Sequence, residues 1–210
     1  MTTTAGTSTG LRERKKRRTQ QALQAAAIRL MSENGFARTT IDQIADAADV
    51  SPRTFFRYFP SKESALLTDL QDEVVAVHLA AAPAELSIAA AYEAAVRAAF
   101  DDLSAEEWKV EQARMRLVVT TPELGVTAAV IGALRPIEDA GEFIRRRLGL
   151  EADDPRPAVY AAMLVAAVAA AVVPLLADLE DGALDRAALL DAMHLGVEVL
   201  QDGFPTGLEP

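Results

Sequence analysis

At 210 residues, with no cysteine and a formal net charge of -10, the chain can bury a substantial core but has no disulfide framework, thiolate metal site or cysteine nucleophile. The total conceals an asymmetry, because residues 1–60 carry ten Lys/Arg against five Asp/Glu whereas residues 61–210 carry eleven against twenty-six. Such a chain is built to meet a polyanion with its basic end only, and its thiol-free composition fits a reducing compartment, the cytoplasm.

Residues 1–10, rich in Thr, Ser and Gly and lacking the apolar run of a secretory signal, read as a disordered tail. Apolar residues recur at helical spacing almost everywhere beyond it and no segment alternates with period two, so the predicted fold class is all-α. The first helix spans residues 12–33 and stops at Asn34-Gly35, with Leu23, Ala26, Ala27, Leu30 and Met31 as its buried face. Thr40 and Gln43 then form a capping box for a short second helix, Asp49-Val50 makes a turn, and Ser51-Pro52 starts a third helix that runs to about Tyr58. A new cap at Ser61 launches a long helix toward Leu79, broken at Pro83.

Later helices are predicted over 88–103, from the capping box Ser104-x-x-Glu107 to Thr121, from Pro122 to Leu148 with Gly132 and Pro136 as places to kink or split, from Ala158 to Leu179, and from Leu184 to Gln201. Ala158 to Ala177 contains no charge, but nine of its twenty residues are Ala and its flanks are acidic, so a fully buried helix is expected rather than a membrane span. Residues 204–210 read as a second tail.

Two short helices around a tight turn, just behind a basic helix, have the size and order of a helix-turn-helix. In the second of them, Arg53 and Arg57 lie four apart on an outward stripe, while Phe55 and Phe59 share a face that must be buried. Arg17, within the run Arg12-Glu-Arg-Lys-Lys-Arg-Arg18, is expected to meet phosphate or enter the minor groove.

The stretch Phe36-Ala-Arg-Thr-Thr-Ile-Asp-Gln-Ile-Ala-Asp-Ala-Ala-Asp-Val-Ser-Pro-Arg-Thr-Phe-Phe-Arg-Tyr-Phe-Pro-Ser-Lys-Glu63 resembles the signature of the TetR family of transcriptional regulators, and the resemblance covers roughly residues 15–67. It implies that Thr40, Arg53, Thr54, Phe56, Tyr58 and Lys62 face DNA. The sequence departs from the family pattern at Asp49, where Gly is usual in the turn; at Arg53, where a small residue is frequent; and at Phe56, where a Tyr hydroxyl often meets phosphate. The organisation expected is a helix-turn-helix domain over 11–60 joined by a long helix to a helical effector-binding and dimerisation domain over 61–203.

The resemblance further implies a ligand-responsive regulator, a repressor in the family's usual mode, that binds a near-palindromic DNA operator as a homodimer and is released by a small effector. Trp108, Met115, Phe143 and Met163 are the candidates to line its effector pocket, whose Ala, Val, Leu and Met walls suit a nonpolar or amphipathic compound. Arg114 and Arg116 could meet an anionic head group, although exposure at the surface is the commoner fate of such residues. Small-residue spacing in the Ala-rich helix marks Ala162, Ala166 and Ala170 for the dimer interface, and the three-four apolar spacing of Leu190, Met193, Val197 and Leu200 in the last helix marks Met193 and Val197 for it. No cofactor, metal, membrane partner or catalytic activity is expected, since His78 and His194 stand alone and no phosphate-binding glycine loop occurs. A nucleoid-associated location in the cytoplasm follows. Two rival readings are a helical ligand-carrier or interaction module with a basic anion-binding segment, and a membrane sensor with a DNA-binding head.

Overall fold

The computed structural model describes residues 6–177 and 184–203. Every regular element among them is helical, and the chain divides after Thr68 into two compact units, Met1–Thr68 and Asp69–Pro210. The expected tails at 1–5 and 204–210, and the predicted end of the Ala-rich helix at Leu179, lie outside the described residues.

The first unit holds α1 (Gly6–Asn34), α2 (Ile41–Ala47), α3 (Pro52–Tyr58) and α4 (Lys62–Leu67). Helix α1 opens at Gly6, so residues 6–10 are helical rather than part of a tail; once a helix is nucleated, each further residue gains a hydrogen bond for little extra ordering. It ends where Gly35, at φ 83°, donates its amide to the Met31 carbonyl at 2.9 Å. The Thr40 box closes in both directions, Thr40 Oγ1 accepting from the Gln43 amide and Gln43 Oε1 accepting from the Thr40 amide. Asp49 adopts φ 53° in the turn, a left-handed conformation that Asp tolerates better than most side chains, so the missing glycine costs little. Leu23, Ala27, Met31, Ile44, Phe55, Phe59 and Leu66 are all buried, and the Phe55 and Phe59 rings lie 5.6 Å apart. Leu30 is only partly covered.

The single long helix predicted from Ser61 is two helices. Helix α4 ends at Leu67 and α5 begins at Asp72. Buried Gln24 donates its side-chain amide to the carbonyls of Ala65 at 3.0 Å and Thr68 at 2.6 Å, taking acceptors that a continuing helix would use. Asp69 then accepts from the Gln71 amide in a local turn of the kind Asp favours over helix.

The second unit contains α5 (Asp72–Ala80), α6 (Ile88–Asp101), α7 (Ala105–Thr120), α8 (Gly125–Leu148), α9 (Arg156–Ala177) and α10 (Arg186–Asp202). Helix α9 packs against α7, α8 and α10, while α5 rests on α6 and α8. Ala91, Ala95, Phe100, Ile144, Ala161, Leu164 and Leu189 fill the core between them. Helix α8 is continuous through Gly132 and Pro136 and stops at Gly149, which is left-handed at φ 62°. The Ser104–Glu107 box opens α7 as expected.

Helix α9 has a mean hydropathy of 2.4 over Arg156–Leu176, enough by length and composition for a membrane segment. Full burial was expected of it, yet one face alone is covered. Ala161, Leu164, Val172 and Leu176 point into the core, whereas Val159, Tyr160, Met163 and Val173 are exposed. Its packing against α7, α8 and α10 covers that face and leaves the other open.

Candidate nucleic-acid interface and ligand cleft

Helix α3 is presented by its own anchors. Ser51 Oγ accepts from the Thr54 amide at 3.2 Å, Pro52 supplies a first residue with no amide hydrogen to satisfy, and Phe55 and Phe59 are wholly buried. With Phe55 pinned inward, positions 53, 56 and 57 must turn outward, and Arg53, Phe56 and Arg57 are all exposed. Phe56 leaves 54% of its surface open and contacts the buried Phe55 edge-on, with ring centroids 5.8 Å apart. Arg57 folds over its neighbour, the guanidinium 5.1 Å from the Tyr58 ring centre and Nη2 3.4 Å from the phenol oxygen. Thr54 is half-buried and its hydroxyl lies 3.1 Å from that of Ser51, so it is already partly engaged in starting the helix. Thr40 and Arg17 are exposed, and Arg17 shares its stretch of α1 with the exposed cations Arg12, Arg14, Lys15, Lys16 and Arg18.

Lys62 is placed differently from the other expected DNA contacts. Its Nζ donates to the Phe36 carbonyl at 2.8 Å and to the Thr39 carbonyl at 3.2 Å, and stands 4.2 Å above the Phe36 ring. The same loop is held from below by buried Thr39, whose hydroxyl donates toward the Leu30 and Gly35 carbonyls. Two of the three ammonium protons therefore clamp the α1–α2 loop to α4, a role that the spacing of 36, 39 and 62 does not signal. The role of Gln24 is equally hidden, since a polar residue on an otherwise apolar helix face carries no mark of its partner.

In the second unit, α5, α6, α7, α8, α9 and α10 together bound a cleft of about 190 Å3. Val75, Leu79, Phe100, Met115, Val168 and Val172 give it apolar walls, and Asp69, Asp72 and Asp139 also line it. Of the four residues expected around an effector, Met115 lines this cleft; Trp108 and Phe143 are buried in the core, and Met163 faces outward on α9. Trp108 is committed to structure, edge-on to Phe100 at 6.1 Å with the Arg186 guanidinium 5.1 Å from its ring centre.

Arg114, expected at the surface, is buried. Its Nε and Nη2 grip Glu111 at 2.9 and 2.6 Å, and Nη2 also reaches Asp69 at 2.7 Å. Burial pushes the Glu111 carboxyl up to about 7 against the opposing pull of Arg114. Glu111 is thus a member of a buried charge network. Burial also drives Asp72 up to about 8; neighbouring Asp69 adds to the rise, Arg114 and Arg135 oppose it, and Asp139 adds a smaller push. Asp139 Oδ2 is sealed from solvent with no hydrogen-bond donor among the described residues, its contact with Arg135 Nε standing at 3.7 Å. Glu111 and Arg114 sit three apart, a spacing from which their ion pair was legible. Nothing local connects residues 69, 72 and 139. Among the described residues no group of three or more His, Cys, Asp or Glu is arranged to hold a metal.

The outer faces of α9 and α10 form a third feature. Val159, Met163, Ala166, Ala170 and Val173 follow a three-four spacing along the bare side of α9, and Leu195 and Val199 are exposed on α10. Of the residues assigned to an interface, Ala166 and Ala170 lie on this bare stripe and Ala162 is half-buried beside it. Met193 turns into the cleft and Val197 is buried within the chain. The apolar repeat Leu190, Met193, Val197, Leu200 is consumed in the packing of this unit's own core, and Gly196 lets the α9 backbone approach so closely that a Cβ there would meet the Ala167 carbonyl oxygen at 2.5 Å.

An all-helical chain with a helix-turn-helix head and a separate helical unit around a cleft has the construction of a regulatory DNA-binding protein. Residues 23–67 match the family described as bacterial regulatory proteins, tetR family, and residues 86–205 match the MftR C-terminal domain. The chain belongs to the TetR family of transcriptional regulators. It is 37% identical over 153 residues to the HTH-type transcriptional regulator TcmR of Streptomyces glaucescens, spanning 69% of this chain and 67% of that one. It is 28% identical over 151 residues to MftR of Mycobacterium tuberculosis, spanning 70% of this chain and 75% of that one. Among solved structures, the repressor FadR of Thermus thermophilus, determined with lauroyl-CoA, shares the fold with a TM-score of 0.54 at 20% identity, covering 91% of this chain and 97% of FadR.

Proposed function

We propose that this protein is a ligand-responsive repressor that binds a near-palindromic operator as a homodimer and is released by a small nonpolar or amphipathic effector. The observation that carries the reading is α3, where Arg53, Phe56 and Arg57 project together from a helix anchored by Phe55 and Phe59. Arg53 is a bidentate donor near a helix N-terminus, suited to guanine in the major groove; Phe56 offers apolar contact to a thymine methyl, and Arg57 with Tyr58 suits the backbone. Arg17 and its neighbours supply phosphate contacts, Thr40 and Thr54 stand beside them, and Lys62 keeps one free ammonium proton for a phosphate.

A second copy of the chain is the proposed cover for the bare faces of α9 and α10. Two-fold pairing of these helices would bury the exposed Val159, Met163, Val173, Leu195 and Val199, which a lone protomer leaves in water. The cleft of the second unit is the proposed effector site, and the protein's place of work is the cytoplasm.

Selection of bound fragments from random duplex DNA tests the proposal. Two half-sites related by a dyad are expected, one recognition helix to each. Arg53→Ala should then cost about 1–3 kcal/mol and relax preference at one base position per half-site. An equal loss on every sequence, or recovery of fragments with no common element, would refute sequence-specific reading by α3.

A further inference from the structure

The polar lining of the cleft has one sign. Three carboxyl groups, Asp69, Asp72 and Asp139, reach its surface together with the neutral Gln71 and Tyr92, and among the described residues no Lys, Arg or His lines it. Two nearby cations already lie against cleft acids from outside the lining. Arg114 is held from behind by Glu111 and Asp69, and Arg135 lies against exposed Glu73 at 3.3 Å and Asp139 at 3.7 Å. Asp139 Oδ2 remains buried without a hydrogen bond, and buried carboxylate oxygens normally have one. The rest of the lining is largely aliphatic and includes Val165, Val168 and Val172 on α9 and Met193 on α10.

We propose that this cleft takes an amphipathic organic cation, its apolar body against the aliphatic wall and its ammonium between Asp72 and Asp139. The assignment rests on the reading of the cleft as the effector site and adds the sign of the effector's charge. A positive head group brings to the lining a cation that it does not itself contain, placed to pair with Asp72 and to approach Asp139, whose Oδ2 has no hydrogen bond. An anionic head would meet like charge and no cationic donor on the lining. The anionic head group that Arg114 suggested in the sequence finds its guanidinium already occupied.

The groups facing Asp72 are Asp69 before α5, Tyr92 on α6, Arg114 and Glu111 on α7, and Arg135 and Asp139 on α8; α9 and α10 contribute apolar lining. Because Asp72 holds its proton to about pH 8, a permanent cation must displace that proton to pair with it. Its affinity should therefore rise with pH below that point, by up to about tenfold per unit, and level off above.

The test is calorimetric titration of the intact protein at pH 7 with decyltrimethylammonium, decanol and decanoate below their aggregation limits. The cation should bind about tenfold or more tightly than decanol, and decanoate more weakly than either. Asp72→Asn should remove most of that preference and flatten the cation's pH profile, while Ala169→Trp, which fills the cleft from α9, should abolish binding. If decanol matches the cation, or decanoate exceeds it, the charge assignment fails and the cleft survives as an apolar effector site. If none of the three binds, or Ala169→Trp binds the cation undiminished, the cleft itself is the wrong site and the assignment falls with it.

Discussion

Replacing Gly196 with alanine sets two effects of similar size against each other. Helix propensity favours the substitution, since alanine in a helix interior is better than glycine by about 1 kcal/mol. Contact geometry opposes it. The new Cβ would stand 2.5 Å from the Ala167 carbonyl oxygen, 2.8 Å from its carbon and 3.0 Å from the Val168 Cα, all backbone atoms of α9 that no rotamer change can move. Relief requires α10 to withdraw by roughly 0.5–1 Å, and a gap of that size forfeits about a quarter to a half of each dispersion contact along the seam. Overpacking of this kind costs about 1–3 kcal/mol or more. With backbone atoms as the obstacle the upper part of that range applies, about 2–3 kcal/mol, so after the propensity gain the variant should be about 1–2 kcal/mol less stable and its Tm lower by roughly 2–8 °C. Gly132, also inside a helix but with nothing within 4 Å of where its Cβ would stand, is the control: Gly132→Ala should gain up to about 1 kcal/mol. Thermal unfolding followed by far-UV circular dichroism, at one protomer concentration for all three proteins, measures both. A Gly196→Ala protein as stable as its parent would refute the close approach of α9 and α10, and so would equal effects at the two glycines.

Two further substitutions probe the buried charges and the head. Asp72 has a folded-state pKa raised from 3.8 to about 8, so the folded state holds its proton more tightly and the associated stability, complete below about pH 4, is lost as pH rises through 8. Asp72→Asn should accordingly raise Tm relative to the parent at pH 8.5 and leave it unchanged at pH 4; an equal shift at both would rule out titration of Asp72 as the cause. Lys62→Met removes two charge-assisted bonds to the α1–α2 loop, and a loss of about 1–3 kcal/mol of stability is expected. Denaturant unfolding reads this directly, and an unchanged midpoint would mean that the ammonium contributes nothing to the fold of the head.

The head was legible in the sequence because what shapes it is local. Thr40 with Gln43 and Ser51 with Thr54, like Ser104 with Glu107 in the second unit, are caps in which donor and acceptor lie within three residues, and a cap forms at each of these positions as expected. Phe55 and Phe59 fall on one face by helical period alone, which leaves Arg53 and Arg57 outward. Where the partner lies far along the chain, no such spacing exists. Gln24 reaches Thr68 and stops α4, Lys62 reaches Phe36, and Asp72 and Asp139 arrive beside one cleft from helices 67 positions apart. The apolar stripes of α9 and α10 show the limit most clearly. Periodicity marks both helices as needing partners, but each has two apolar faces, and the choice of face depends on which surfaces α6, α7 and α8 already cover. Met193 and Val197 therefore go inward and Met163 outward, although all three satisfy the same helical repeat. Sequence determines what a helix must bury; only the packed tertiary structure, in which neighbours compete for each face, decides where.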